Sequence, residues 1–299
     1  MTEAERITRA LGGEWRGSSG LAPCPICQPE GRRDQRGLSL SDSAGRLLVH
    51  CHKSGCDVLR DLQARNLTDT PRDRAPYDPE EAQRRKAEER KRETKRLKTA
   101  HDLFAEGVSC EGTAAQAYLE GRGIMGMRFN RIARTLRFHP SALHGASGQR
   151  LPAMLAQIRG PKGEPLGLHR TFLKPDGSGK ADVEPQKMML GPSSGGAVRF
   201  GPDNRVIALA EGIETALSVS QASRLTVWAT LSTSGLKGLI LPPPPVAEVI
   251  VIAADHDPAG ISAAEQTAER LEREGRAVSV IYPRTPGSDF NDLLSEAGQ

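Results

Sequence analysis

Aromatic side chains are scarce in this 299-residue sequence, where Phe, Tyr and Trp together make up 4%. A surface that holds nucleic acid chiefly by stacking bases needs several such rings, so stacking is not the main means of binding a polymer here. Long apolar runs are lacking too. The longest are strand-sized, well short of the ~20 residues a membrane-spanning helix needs, and no basic segment followed by an apolar one opens the sequence. The expectation is a cytoplasmic protein without membrane contact. A phosphate-binding loop is also missing. In "KPDGSGK" Lys174 stands where G-x-x-x-x-G-K-[ST] requires Gly, and Ala181 follows Lys180. That excludes a nucleoside-triphosphatase motor.

What is present is unevenly spread. The formal net charge is +4, yet residues 71–100 and 101–204 each carry +4 and residues 205–299 carry −5. A basic middle beside an acidic C-terminal part suits a polyanion track leading to a site that holds cations. The plainer alternative is a set of solvated faces. Four of the five cysteines fall between Cys24 and Cys56, with Cys110 apart. Without a secretory signal, such clustering reads as metal ligation before disulfides. Cys24-Pro-Ile-Cys27 is a C-x-x-C knuckle, and Cys51 with Cys56 supplies a second pair. Four thiolates satisfy tetrahedral Zn²⁺, and a closed site of that kind stabilises a domain too small for its own core. The second pair is irregular, and His50 or His52 could replace one of its cysteines.

Periodicity divides the chain into four parts. Residues 1–70 read as a small β-rich domain, with a helix over 1–12, a loop at "GGEWRGSSG", strands in "RGLSLSD" and "RLLVHC", and a helix in "DVLRDLQARN". Residues 71–105 read as a charged helical linker. Prolines 71, 76 and 79 open it, and a helix over 80–105 pairs Glu81 with Arg85 and Glu88 with Arg92. Residues 106–204 form a basic, mixed α+β part in which "LPAMLAQIRGPKGEPLGLHRTFLKPDG" is a hairpin turning at "GPKGEP". Residues 205–299 alternate strands ("RVIALA", "LTVWAT", "EVIVIAAD", "AVSVIY") with helices ("IETALSVSQA", "ISAAEQTAERLERE"), the pattern of a parallel sheet with covering helices. Ligands of such sheets gather beyond the carboxyl ends of the strands.

Acids stand at that edge. Asp255 and Asp257 in "AADHDPAG" are two residues apart on a strand end, so they can aim the same way. Hard oxygen donors held close together suit Mg²⁺, which leaves positions open for phosphate oxygens. Glu211 ends another strand, and Asp289 and Asp292 in "GSDFNDLL" follow the last one. Taken singly, each has a plain alternative as a helix cap, Asp289 above all, and Glu214 is expected on an exposed helix turn.

In order and spacing, "ALAEGIETALS", "VIVIAADHDPAG" and "GSDFNDLL" resemble the three acidic motifs of the Toprim domain, over residues 205–295. That fold is shared by bacterial primases, topoisomerases, some nucleases and recombination mediator proteins. Only Tyr77, Tyr118 and Tyr282 are present, none in a recognisable strand-cleaving domain, which argues against a topoisomerase. The cysteine region and "RLLVHCHKSGCDVLRDL" resemble the N-terminal zinc ribbon of bacterial and phage primases, departing in Cys27 where many members have His and in the longer second spacing. "TLRFHP", "GLHRTFLKPDGSGKADVEPQKMMLG" and "GGAVRFGP" resemble the segment before Toprim in those proteins. Together the parts resemble a bacterial-type DNA primase in the compact form of phages and mobile elements.

The resemblance implies an α/β Toprim domain, preceded by a mixed α+β basic domain and a β-rich zinc ribbon. It implies primer synthesis on single-stranded DNA by metal-dependent nucleotidyl transfer, with ribonucleoside triphosphates as substrates and a replicative helicase as a partner in trans. Zn²⁺ would be structural and Mg²⁺ or Mn²⁺ catalytic. Asp255 and Asp257 would be metal ligands, Glu211 a ligand or general base, and Asp289 and Asp292 aids to a second cation or the triphosphate. Arg170, Lys174, Lys180, Lys187 and Arg199 are candidates for triphosphate or template phosphates, and Trp15, Arg32, Arg33 and Arg36 for template contact by the ribbon. The alternatives are a non-catalytic zinc/Toprim module of recombination or repair, and a Toprim nuclease.

Overall fold

The computed structural model describes the chain except residues 33–34, 44–45, 69–78 and 298–299, and except the side chains of 79–82, 85 and 295–297. Arg33, Tyr77, the prolines at 71 and 76, and the Glu81–Arg85 pair therefore lie outside what is described. Two compact units divide between residues 82 and 83.

In the first unit α1 (Glu3–Ala10) is capped by Thr2, whose hydroxyl accepts from the Glu5 amide. A four-stranded antiparallel sheet follows in the order of β1 (Glu14–Arg16), β2 (Ser19–Ala22), β3 (Leu38–Ser43) and β4 (Arg46–Cys51), and then α2 (Val58–Ala64). Alternation sends Leu38, Leu40, Leu47 and Cys51 inward to meet Ile7 of α1 and Leu62 of α2. The expected loop at "GGEWRGSSG" is instead the β1–β2 hairpin, with Trp15 opposite Gly20. Gly17 turns it at φ +61°. Three-residue strands are too short to show a period, and the glycine that supplies the tight turn also makes the stretch read as loop.

The boundary falls in the first turn of α3 (Pro79–Glu106), a helix that agrees with the one expected over 80–105. Its exposed stretch reaches Ala100, Leu103 and Phe104, which pack on the sheet. After α4 (Ala114–Gly121) and α5 (Phe129–Ile132) come β5 (Leu136–Leu143), β6 (Arg150–Arg159), β7 (Pro165–Phe172), β8 (Lys187–Leu190) and β9 (Ala197–Phe200). Next are β10 (Val206–Ala210), α6 (Ile213–Ser223), β11 (Thr226–Ala229), α7 (Thr233–Gly238), β12 (Val249–Ala253), α8 (Pro258–Arg273), β13 (Ala277–Ile281) and α9 (Phe290–Ala297).

One nine-stranded sheet, ordered β13-β12-β10-β11-β9-β6-β7-β8 with β5 beside β6, runs through both parts that the sequence separates at 204. Its first four strands are parallel, as expected. From β9 onward the pairs are antiparallel, including the predicted β6–β7 hairpin, so the sheet is mixed. Side chains alternate across it: Ile207 and Leu209 of β10 meet Leu236 of α7 and Ala264 of α8, whereas Ala208 and Ala210 meet Ala216 and Leu217 of α6.

Candidate active site and metal centre

Beyond the carboxyl ends of the parallel strands the acids collect. Ala210 of β10 lies in register with Ala253 of β12, so Glu211 and Asp255 leave adjacent strands at the same edge. Asp255 is the focus. Burial first, then the charges of Glu211, Asp289, Asp257 and Asp292, push its carboxyl up to about 6. Its Oδ1 is buried and has no hydrogen-bond partner. Glu211 is raised by burial and by Asp257, while Lys187 and the Thr233 amide pull the other way.

Two of the plain alternatives hold at once with the electrostatic cluster. Asp257 caps α8, its Oδ1 accepting from the amides of Ala259 (2.8 Å) and Gly260 (2.7 Å). Gly260 is small of necessity, since a Cβ there would stand 2.6 Å from the Asp255 carbonyl oxygen. Asp289 caps α9 through Oδ1, with Asn291 (2.7 Å) and Asp292 (2.9 Å) donating, and Asp292 Oδ2 accepts from the Asp289 amide at 3.0 Å. In each cap one oxygen fixes the carboxylate and the other stays outside the bond. His256, between the two aspartates, ties the edge together. Its Nδ1 donates to the Pro283 carbonyl (2.7 Å), its amide to Ser288 (3.0 Å), and its carbonyl accepts from Gly287 (2.7 Å).

Unmet charge and an orphaned buried oxygen are what a divalent cation relieves, so this donor set suits Mg²⁺ or Mn²⁺. The carboxylates are not drawn to one point, whereas the sulfurs of Cys24, Cys27, Cys51 and Cys56 all lie within 4.8 Å of one another. Cys27 and Cys51 are 3.6 Å apart at Sγ, against ~3.8 Å for two sulfurs at Zn–S ≈ 2.3 Å in a tetrahedron. Burial opposes ionisation of Cys51, but the amides of Ser54, Cys56 and Lys53 bring its thiol down to about 6. Burial and the neighbouring sulfurs push Cys56 up to about 12, as expected of thiols crowded without a cation. Neither histidine belongs to the group. His52 bonds Ser39 through Nε2 at 2.9 Å and faces His50 edge to face. Trp15 packs on the core of the first unit, Arg32 is exposed, and Arg36 donates to the Gln35 carbonyl.

The basic candidates separate into two kinds. Arg170 and Arg199 are buried and committed to the fold. The first donates to the Leu143 carbonyl at 2.9 Å and lies over Phe172; the second pairs with Asp203, donates to the Gly160 carbonyl and stacks 3.9 Å over Trp228. Lys174 is half-buried beside Asp182 at 3.5 Å. Lys180 and Lys187 lie close to each other, and burial followed by Lys187 lowers the Lys180 ammonium.

Glu214 departs most from expectation. It is 5% exposed, not on an open turn. Residues 213–219 are all buried because α6 lies between the sheet and α9, so a polar residue in its first turn cannot reach solvent. Tyr118 donates to its Oε1 at 2.7 Å and Lys187 to its Oε2 at 3.2 Å. Burial alone would raise this carboxyl, but Lys187 and Tyr118 outweigh it and hold it at about 2. Nearby His169 is driven down to about 4 by burial and then by Lys187.

Residues 206–299 match the Toprim domain family, and residues 94–200 match a family described as "Domain of unknown function (DUF7146)". The C-terminal part of the chain is thus a Toprim domain, and the cysteine-bearing, β-rich N-terminal unit fits a zinc ribbon. Among solved structures the chain is similar to the zinc-binding and RNA polymerase domains of the Aquifex aeolicus primase, at 17% identity and TM-score 0.47, covering 100% of this chain and 80% of that one. It is also similar to the primase fragment of the bacteriophage T7 primase-helicase protein (15%, TM-score 0.42, 93% and 94% covered) and to a DNA primase domain from Pseudomonas aeruginosa (18%, 0.45, 67% and 74%). No curated protein matches. Among the described residues no helix is long and apolar enough to cross a membrane.

Proposed function

We propose that the chain is a DNA primase of the bacterial and phage type, joining ribonucleoside triphosphates into short primers on a single-stranded DNA template. One observation carries this reading: four acids from three strand ends of a Toprim domain, Glu211, Asp257, Asp289 and Asp292, act electrostatically on Asp255, whose carboxyl is held at about 6. Asp255 and Asp257 would hold Mg²⁺ or Mn²⁺, with Glu211 as a further ligand or as the base for the attacking 3′-hydroxyl. Bound there, the cation would neutralise charge on the departing pyrophosphate. Asp289 and Asp292 serve a second cation or the triphosphate. Helix caps fix Asp257 and Asp289 before substrate arrives, which limits reorganisation during the reaction.

Lys180 and Lys187 supply positive charge for the triphosphate, and Lys174 for the template backbone. Arg170 and Arg199 act indirectly, by shaping the sheet. In this reading residues 1–70 are the template-binding ribbon, held by Zn²⁺ on Cys24, Cys27, Cys51 and Cys56, and 71–105 the linker. Residues 106–204 are the basic part of the catalytic core and 205–299 its Toprim part, with a helicase recruited in trans. The test is to offer labelled ribonucleoside triphosphates and single-stranded DNA with Mg²⁺ or Mn²⁺. Short labelled oligonucleotides support the reading. Shortened DNA strands would mark a nuclease, and DNA binding without either product a non-catalytic module.

A further inference from the structure

The Glu214–Lys187 pair is not explained by packing. Glu214 lies three residues after Glu211, in the first turn of α6, and its side chain is 6% exposed against 38% for Lys187. Burying a carboxylate is costly unless it is paired, and an apolar residue would fill the place more cheaply beside Ile213, Ala216 and Leu217. The carboxylate is nonetheless charged and saturated from two sides, by the Tyr118 hydroxyl and the Lys187 ammonium.

Lys187 starts from β8, the outer strand of the sheet, opposite Thr171 of β7. A lysine there has a flexible stem and would range through solvent if nothing held it. Glu214 holds it. The same ammonium acts on Glu211 and on Lys180, so it stands within electrostatic reach of the acidic edge and of the second lysine. An ammonium has three N–H donors. The one described bond, to Glu214, leaves the others for a ligand on the partly open side.

We propose that Glu214 is a positioning residue for nucleotide binding: its carboxylate anchors the Lys187 ammonium beside Glu211, so that Lys187 presents its remaining donors to a triphosphate. This rests on the reading of the Toprim edge as a nucleotidyl-transfer site. It assigns no chemistry to Glu214 itself. Its charge acts through Lys187, and Glu211 stands just before α6, whose first turn carries the anchor.

The experiment uses the full chain and measures binding of magnesium ATP by calorimetry, together with KM and kcat for primer synthesis. Glu214→Gln keeps the size and the acceptor for Tyr118 but removes the charge. The expected result is a rise of about ten-fold in Kd and KM with kcat within about three-fold, the signature of a lost binding contact and not of a damaged reaction centre. Lys187→Met should match it, and the double variant should be no weaker than Lys187→Met alone. Additive losses, or unchanged affinity in Glu214→Gln, would overturn the proposal. If Glu214→Gln does not fold, Tyr118→Phe loosens the anchor while keeping its charge. Weaker ATP binding that disappears in the Lys187→Met background upholds the proposal, and unchanged binding rejects it. A wild-type protein that shows this coupling yet makes no primers would sink the primase reading and leave the Glu214 assignment standing. Primer synthesis with no coupling would do the reverse.

Discussion

Replacing Asp255 by Asn should stabilise the metal-free protein while removing its response to divalent cations. Asp255 has an ordinary carboxyl value of 3.8 that burial and four neighbouring acids lift to about 6. Two units correspond to ~3 kcal/mol at 1.36 kcal/mol per unit, and screening of a partly solvated group reduces this to ~1–2 kcal/mol. The sign follows from the raised value. The folded protein holds the proton more tightly than the unfolded chain, so this group's contribution is fully present below about pH 4 and is lost as pH rises through about 6. At pH 7 the bare carboxylate is therefore a burden that Asn removes. Calorimetry without divalent ions should show Tm higher by ~2–6 °C, and the wild-type loss of stability between about pH 4 and 6 should flatten in the variant. Mg²⁺ at ten times its Kd should then add ~1.4 kcal/mol to the wild type and nothing comparable to Asp255→Asn. A variant that is less stable at pH 7, or one that Mg²⁺ stabilises as much as wild type, would refute the argument.

Other consequences can be checked separately. Protein purified without added zinc should contain close to one Zn²⁺ per chain, and replacing Cys24 and Cys27 by Ser should abolish it; elemental analysis showing unchanged zinc would rule out the ligands. Arg199→Ala should cost ~2–4 kcal/mol of stability, because it removes buried hydrogen bonds and the stacking on Trp228, whereas Lys174→Ala, which removes one long ion pair to an exposed partner, should stay within ~0.5 kcal/mol in the same denaturation assay. Binding to single-stranded DNA should weaken steadily as salt rises, and a flat salt profile would show that phosphate contacts do not carry the affinity.

Strands and helices of the Toprim part were legible because strands such as β10 and β11, buried on both faces, read as short apolar runs, and α8 buries residues at a spacing of about 3.6. The acids at the edge were legible for a different reason: Asp and Glu at the end of an apolar strand have no packing role to account for them. Three features were hidden. The β1–β2 hairpin is too short to display alternation. Glu214 looks like any first-turn acid, and only the enclosure of α6 on every side makes it a buried charge. Arg170 and Arg199 look like neighbouring lysines in the sequence, but a guanidinium can bond carbonyls in several directions and lie flat on a ring, so the fold buries these two while Lys174, Lys180 and Lys187 stay partly open.

The central claim is that the acidic edge joins nucleotides, and it is tested most directly by primer synthesis with wild-type protein and with Asp255→Asn and Asp257→Asn. Labelled ribonucleoside triphosphates, single-stranded DNA and Mg²⁺ or Mn²⁺ should give short oligonucleotides with the wild type. Both variants should lose at least ~100-fold in rate while remaining folded and binding DNA, since an amide keeps the size of the ligand but not its charge. Wild-type rates from folded Asp255→Asn, or no incorporation by the wild type with either metal, would contradict the account.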